Sequence, residues 1–159
     1  MRKAVIFSSL LMITLMASCG SDKCKEQTKQ TETMTENITT INANPQELDG
    51  IKKALNAYIE AAVKGDSKIA EPVFAKTATI SHNENDTLVS GPIKELFDYY
   101  NETGPHHAEY EITAAQVAEN VAIVSIDSKF GDVGFDDMFT LVKDGDDWKI
   151  VSKVFHVKQ

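Results

Sequence analysis

Four histidines are the side chains of this chain best suited to proton transfer or metal binding near neutral pH. His106 and His107 are neighbours in a segment expected to be extended, so they point to opposite faces and do not converge on one metal ion. His156 follows a two-residue alternation that begins at Trp148, which predicts that it lies on the inner side of the last strand. His82 stands at a predicted strand end beside a polar turn, where exposure to solvent is the simplest interpretation.

Acidic residues cluster around Gly131 and Gly134 and could suggest a calcium site. Their spacing lacks the ordered oxygen ligands of a calcium loop, so a solvated hairpin is the favoured interpretation of Asp132, Asp136 and Asp137. No cysteine or further histidine lies at zinc spacing near His106 and His107. We therefore predict no metal site and no cofactor.

Aromatic side chains are frequent in the second half of the chain and could line an apolar pocket. Such residues are often simply core, and this alternative stays open. The sequence predicts a pocket that binds a small apolar ligand. The residues expected to line it are Phe97, Tyr100, Phe130, Phe139, Phe155 and His156.

The N-terminal residues predict export and a lipid anchor. Two positive charges precede a 13-residue apolar run at positions 4–16, which is shorter than the ~20 residues of a membrane-spanning helix. Residues 15–20 resemble the bacterial lipobox, in which the cysteine is diacylated and becomes the N-terminus. We predict a lipoprotein signal peptide over 1–18 and a membrane anchor on Cys19, in the cell envelope at a periplasmic or outer-membrane face. Simple secretion, with cleavage near Ala17 or Ser18, remains the alternative.

The composition of the exported chain limits its partners and its stabilising chemistry. Without residues 1–18 it keeps 14 Lys and no Arg against 24 Asp plus Glu, a net charge of −10, so we predict that it does not bind nucleic acid. If Cys19 is lipidated, Cys24 has no partner within the chain and the fold must hold without a disulfide. Residues 19–44, including the lipidated N-terminus, are polar and rich in threonine, which predicts a disordered tether.

Residues 45–159 predict one α+β domain. Asn44 and Pro45 predict the start of a long helix that ends at Gly65, with a short helix after it and a third between Pro92 and Gly104. Two short strands are predicted at 78–81 and 87–90. After residue 107 the apolar period changes from about 3.6 to 2, which predicts four antiparallel strands. Three helices in the N-terminal half should therefore pack in a curved, mainly antiparallel sheet.

The element order and two segments resemble one superfamily. Residues 58–66, at the end of the first helix, and residues 141–156, at the end of the chain, are similar to the nuclear-transport-factor-2-like superfamily and its branch named for lumazine binding. The resemblance covers residues 45–159. It implies a cone-shaped fold with a cavity at the wide mouth, and a homodimer through the sheet. The superfamily includes isomerases, dehydratases and binding modules, so the resemblance specifies fold better than function.

The resemblance also implies one catalytic pair. In an alignment with ketosteroid isomerase, Tyr58 matches the tyrosine of the oxyanion hole and His82 lies at or beside the general base, whereas the protonated aspartate falls near Phe139. Only one of the three isomerase roles, that of the oxyanion-hole tyrosine, is therefore filled by the same residue type. We predict an envelope-anchored lipoprotein that binds a small molecule or a partner without a complete catalytic set. The alternative is an isomerase or dehydratase in which Tyr58 and His82 transfer protons.

Overall fold

A computed structural model describes residues 40–158 of the chain. The signal peptide, Cys19 and residues 20–39 of the tether lie outside this range. The helices are α1 (Pro45–Lys64) and α2 (Lys94–Thr103), with single 3-10 turns at Ser67–Ile69 and Glu71–Val73. The strands are β1 (Thr40–Asn42), β2 (Phe74–Glu84), β3 (Thr87–Pro92), β4 (Ala108–Ala118), β5 (Val121–Phe130), β6 (Val133–Asp144) and β7 (Asp147–Val157).

All seven strands form one sheet in the order β1-β4-β5-β6-β7-β2-β3. The β1–β4 and β2–β7 pairs are parallel, and the other four pairs are antiparallel. The α1 helix lies on the inner face of this sheet, where both bury their apolar residues. The predicted α+β class with a mainly antiparallel sheet is confirmed.

The long helix α1 forms where the sequence supplies both caps. The Asn44 side chain accepts a hydrogen bond from the backbone N–H of Glu47 at 2.9 Å, and Pro45 follows at the first helical position. Gly65 closes the helix in the left-handed conformation, with φ of 61°. The Trp148 indole donates to Glu47 at 3.1 Å, which fixes the start of α1 against β7.

The exits of α1 and α2 lie against each other at two glycines. A Cβ atom at Gly65 would stand 2.4 Å from the carbonyl carbon of Gly104, so the backbone at one of these two helix exits would have to shift if this position carried a side chain. The backbone N–H of His106 also donates to the carbonyl of Ala62 at 2.9 Å. These contacts hold α2 over one end of the sheet, where the candidate site lies.

The described fold begins earlier than the predicted boundary at residue 45. Residues 40–42, assigned above to the tether, form β1 and pair in parallel with residues 114–116 of β4. Without β1, the backbone groups on that side of β4 would be unpaired at the sheet edge, and such an edge favours the addition of a strand. The polar composition of this segment gave no period from which the strand could be predicted.

Strand β7 contains one extra residue. Thr140 of β6 pairs with Ser152, whereas the next β6 residue, Leu141, pairs with Ile150. Val151 therefore has no partner of its own and forms a β-bulge. A single extra residue moves every later side chain of the strand to the opposite face.

Because of the bulge, even-numbered residues of β7 face inward before it and odd-numbered residues face inward after it. Trp148 and Ile150 are buried before it, while Lys153 is buried and Phe155 half-buried after it. His156 is exposed, so its predicted position on the inner side is wrong. A similar shift in β4, at Thr113, buries residue 115, whereas an uninterrupted two-residue alternation through Ala108, Tyr110 and Ile112 would bury residue 114.

Within residues 40–158, none of the helices combines the length and the apolar character that crossing a membrane requires.

Candidate functional site

A pocket of about 430 Å³ lies between α2 and the end of the sheet formed by β2, β3, β5, β6 and β7. This volume falls within the range that is usual for small-molecule sites. Most of its wall is apolar. The residues that line it are Tyr58, Ile80, His82, Val89, Glu95, Leu96, Tyr99, Tyr100, Phe130, Phe135, Lys153 and Phe155.

Five of the eight predicted site residues line this pocket. They come from five elements that are distant in sequence and meet only in the fold: Tyr58, His82, Tyr100, Phe130 and Phe155. The two members of the candidate proton-transfer pair, Tyr58 and His82, therefore lie on one cavity. Whether they act together as a catalytic pair stays a prediction.

The other three predicted residues lie outside this pocket. Phe139 is fully buried behind Tyr58, with ring centroids 5.3 Å apart, and belongs to the core. Phe97 packs edge-on against Phe74 at 5.6 Å and lines a separate surface depression beside α2. His156 is exposed on the outer face of β7, because the bulge reverses the direction of its side chain.

The aromatic wall is a continuous set of edge-to-face contacts. Tyr58 contacts Phe130 at 5.8 Å between centroids, Phe130 contacts Phe135 at 5.6 Å, and Phe135 contacts Phe155 at 5.8 Å. His82 stacks on Phe155 at 4.7 Å with an angle of 24° between the ring planes. Such contacts restrict the rotation of each ring, so the apolar wall is preformed.

A charged triad that the sequence analysis missed lies on the inner face below this wall. The Lys153 ammonium donates to Oδ1 of Asp137, and the Ser128 hydroxyl donates to Oδ2 at 2.5 Å. Lys153 is 4% exposed and Asp137 1% exposed. Burial lowers the pKa of Lys153, and the neighbouring Asp137 carboxylate partly opposes that shift.

Lys153 also contacts the aromatic wall. Its Nζ lies 4.2 Å from the ring centroid of Phe155 and 5.8 Å from those of Tyr58 and Phe139. These distances are within the range of cation–π attraction. The lysine therefore joins a buried carboxylate to the apolar wall and contributes the one lysine side chain of the pocket lining.

Of the ion pair in this triad, only Asp137 could have been placed from the sequence. Asp137 shares the alternation of Phe135, Phe139 and Leu141, which already places it on the inner face, so its assignment to a solvated hairpin is wrong. Lys153 is out of phase with Trp148 and turns inward only because of the bulge. The rest of the acidic cluster is exposed, and Asp136 pairs with Lys158 at 3.1 Å.

Two buried tyrosines, Tyr58 and Tyr100, add hydroxyl groups to the site. The rings of Tyr58 and Tyr100 lie 6.5 Å apart, and both side chains are about 1% exposed. Burial raises the pKa of each phenol well above its usual value, and the Asp137 carboxylate raises it further, so both hydroxyls stay protonated at neutral pH. Among the described residues, the Tyr100 hydroxyl is buried without a hydrogen-bond partner.

Within the described part of the chain, no group of three or more His, Cys, Asp or Glu side chains is arranged to hold a metal ion. The polar groups of the residues that line the pocket are one amine, three phenols, one imidazole and the carboxylate of Glu95, and the amine also contacts the carboxylate of Asp137.

The buried ion pair gives a test by stability. Lys153→Met leaves the Asp137 carboxylate buried without its cation, so we expect the free energy of unfolding to fall by about 3–5 kcal/mol. Adding Asp137→Asn removes the second charge but keeps an oxygen that can accept from Ser128, so most of the loss should be recovered. Urea unfolding followed by Trp148 fluorescence measures both values.

The exposed pair of Lys53 and Asp147 is the matched control. Its N···O distance is 2.9 Å, and its side chains are 74% and 58% exposed. Lys53→Met should therefore cost only a small fraction of the loss seen for Lys153→Met. A double variant as unstable as Lys153→Met alone would contradict the assigned role of the buried pair.

Comparison with known proteins shows which family this chain belongs to. A family model described as "Putative lumazine-binding" matches residues 46–156. An NTF2-like protein of unknown function from Shewanella baltica OS155 is 32% identical, with a TM-score of 0.68, over 74% of this chain and 98% of its own. Another from Methylobacillus flagellatus KT is also 32% identical, with a TM-score of 0.67, over 76% and 99%.

A relative with a named activity is more distant. The protein named "Aldolase FrzH" from a Cladobotryum species is 26% identical over 113 residues, which is 69% of this chain and 90% of that protein. Because the family model spans more than two thirds of the sequence and the solved relatives share the fold, this chain belongs to the family described as putative lumazine-binding, within the NTF2-like superfamily.

Proposed function

We propose that this protein is a lipid-anchored binding protein of the bacterial cell envelope that holds a small, mostly apolar molecule in the pocket under α2. One observation carries the proposal: a pocket of about 430 Å³ with a mostly apolar, aromatic wall, whose lining also includes Lys153, Tyr58 and Tyr100. A pocket of this kind gains affinity from apolar burial and orientation from a few polar contacts.

The unpaired hydroxyl of Tyr100 supports an occupant with a polar group. A buried hydroxyl without a partner costs about 1–3 kcal/mol relative to a satisfied one. A ligand oxygen would remove that cost if the surrounding side chains moved enough to admit it, whereas a purely apolar ligand would not. The favoured ligand is therefore an apolar body that carries one oxygen.

The membrane anchor is proposed from residues outside the described range. Residues 1–18 have the layout of a signal peptide, and Cys19 stands where a lipobox places the lipidated cysteine. A chain of about 20 polar residues between Cys19 and β1 would span roughly 20–30 Å on average if it is flexible. That length is enough to keep the pocket clear of the lipid headgroups.

The outer face of the sheet supports a proposed homodimer. Three large apolar side chains on neighbouring strands are exposed there: Ile123 at 58%, Met138 at 57% and Val154 at 45%. Strand register places Met138 beside Val154, and Ile123 two residues from the partner of Met138. A second copy of the chain on this face would remove the apolar area from water.

A second candidate function is proton transfer on a small carbonyl compound by Tyr58 and His82. It is supported by the position of both residues on one pocket wall. The neutral phenol of Tyr58 could donate a hydrogen bond to a developing oxyanion, while the imidazole of His82 could accept the proton. The relative named as an aldolase is compatible with chemistry beside a carbonyl group.

The ligand proposal predicts that filling the pocket abolishes binding. Leu96 lines the pocket and Leu88 is 75% exposed at the β2–β3 hairpin, so Leu96→Trp and Leu88→Trp are matched changes. We expect the Kd for N-phenylnaphthylamine to rise at least about tenfold in Leu96→Trp, or ~1.4 kcal/mol, and to stay unchanged in Leu88→Trp. Fluorescence titration of the dye decides this. Equal affinities in both variants would place the dye elsewhere.

The anchor proposal predicts that Cys19→Ala releases the protein from the membrane. Partition between aqueous and detergent phases after expression in a bacterium that processes lipoproteins measures this. Cys24→Ala is the control and should remain in the detergent phase. If Cys19→Ala also remains there, the anchor is not on Cys19.

The dimer proposal predicts that Met138→Lys yields monomers. Sedimentation velocity at micromolar concentration should show a dimer for the unchanged chain and a monomer for the variant, because a charge on each copy would be buried in the interface. Lys76→Met, on an exposed position of β2, is the control for a change in charge. A monomeric unchanged chain would refute the proposal.

The catalytic alternative predicts exchange of α-protons. Incubating cyclohexanone with the protein in deuterium oxide, and following its α-protons by NMR, tests proton transfer without knowledge of the natural substrate. Catalysed exchange should fall by about 100-fold or more in His82→Ala, because general base catalysis typically contributes at least that factor. His107→Ala, which changes an exposed histidine outside the pocket, should leave the rate unchanged. Absence of any catalysed exchange would count against this alternative.

A further inference from the structure

Lys153 has hydrogen-bonding capacity that the protein does not use. An ammonium group has three donors, and among the described residues the hydrogen bonds of Lys153 go to a single acceptor, Oδ1 of Asp137. The side chain is nonetheless 4% exposed and forms part of the pocket lining. The pocket is therefore the side from which a further partner of this nitrogen can approach.

The surroundings of Lys153 favour the neutral amine more than those of an ordinary lysine. Burial among Tyr58, Phe139 and Phe155 disfavours the charged form and lowers the pKa of Lys153. The contact with Asp137 opposes this shift, but it also supplies a base to which the lysine can pass a proton directly. Lysines placed in apolar surroundings are the ones that act as nucleophiles.

We propose that Lys153 forms an imine with the carbonyl carbon of a small, mostly apolar aldehyde or ketone bound in the pocket. This inference rests on the proposed function, because it requires a ligand in the same pocket. It identifies the oxygen that the ligand is expected to carry as a carbonyl oxygen. It also gives a chemical role to the triad, which the Tyr58 and His82 hypothesis leaves unused.

The reaction balances with the groups present. The Lys153 ammonium passes one proton to Asp137, and the free amine adds to the carbonyl carbon to form a carbinolamine. The carbinolamine oxygen receives one proton from the lysine nitrogen and the returned proton from Asp137. The C–O bond then breaks and the oxygen leaves as water. The product is an iminium ion, so an ammonium and a carbonyl compound have become an iminium and water with the total charge unchanged.

Because the total charge does not change during the reaction, the ion pair suits this step. The iminium carries one positive charge in the place of the ammonium, so Asp137 remains paired before and after the reaction. Ser128 holds the second oxygen of the same carboxylate at 2.5 Å and fixes its orientation. The Tyr58 hydroxyl, which stays protonated at neutral pH because burial raises its pKa, can donate to the carbonyl oxygen during the addition.

Reductive trapping tests this proposal on the full chain. The protein is incubated with naphthaldehyde and sodium cyanoborohydride at neutral pH, and intact mass and peptide mapping follow the product. We expect a single adduct, heavier by the aldehyde less one oxygen, on Lys153. Its rate should exceed the rate at exposed lysines such as Lys53 and Lys94, which are 74% and 73% exposed, by about tenfold or more.

Two variants separate the chemistry from the fold. Lys153→Arg keeps the charge and the contact with Asp137 but cannot form an imine, so the fast adduct should disappear. Leu96→Trp leaves Lys153 and Asp137 in place but blocks the pocket, so trapping on Lys153 should slow by about tenfold or more, as binding does. Peptide mapping of the unchanged chain remains decisive even if Lys153→Arg fails to fold.

Naphthalenemethanol distinguishes failure of this inference from failure of the proposed function, because it has the same ring system and no carbonyl group. If it binds and competes with N-phenylnaphthylamine, but naphthaldehyde gives no preferential adduct on Lys153, the imine proposal is overturned and the binding function stands. If neither compound binds and no preferential adduct forms, both are overturned. Adducts spread evenly over exposed lysines likewise refute the imine.

Discussion

The ion pair between Lys153 and Asp137 is the interaction on which the arrangement of the pocket depends. A carboxylate that is 1% exposed requires a cation or hydrogen-bond donors, and removing the cation from this pair would cost several kcal/mol. Asp137 faces inward because of its phase in β6. Lys153 can meet it only if β7 carries one extra residue, since a regular strand continuing from Ile150 would turn Lys153 outward. The bulge and the ion pair therefore stabilise each other.

The same constraint determines what the pocket can bind. Because the bulge also turns Phe155 inward, the lysine and the aromatic ring that covers it come from one short segment of β7. His82 stacks on that ring from β2, and Phe135 contacts it from β6. The pocket thus has a fixed apolar wall over a single buried cation. This combination favours a molecule with one polar atom over one with many.

Much of the fold could be predicted because its signals are local. The caps of α1 lie within a few residues of its ends, and β5 alternates buried and exposed side chains without interruption. The failures occurred where pairing with a distant strand decides the conformation. The short strand β1 exists because β4 offers an edge to it, and the bulges in β4 and β7 appear only in the register with their neighbours. No local period contains that information.

The candidate site shows the same division between local and distant causes. Tyr58 could be placed on the inner face by the period of α1, and Phe130 by its position at the end of β5. Lys153 could not be placed there, since the bulge reverses the face to which its side chain points. Yet Asp137 offered an indirect signal: an inward carboxylate in an apolar alternation must find a buried cation or hydrogen-bond donors. In a chain with no arginine outside residues 1–18, lysine is the remaining strongly basic side chain, and a lysine can lose its proton and act as a nucleophile where an arginine cannot.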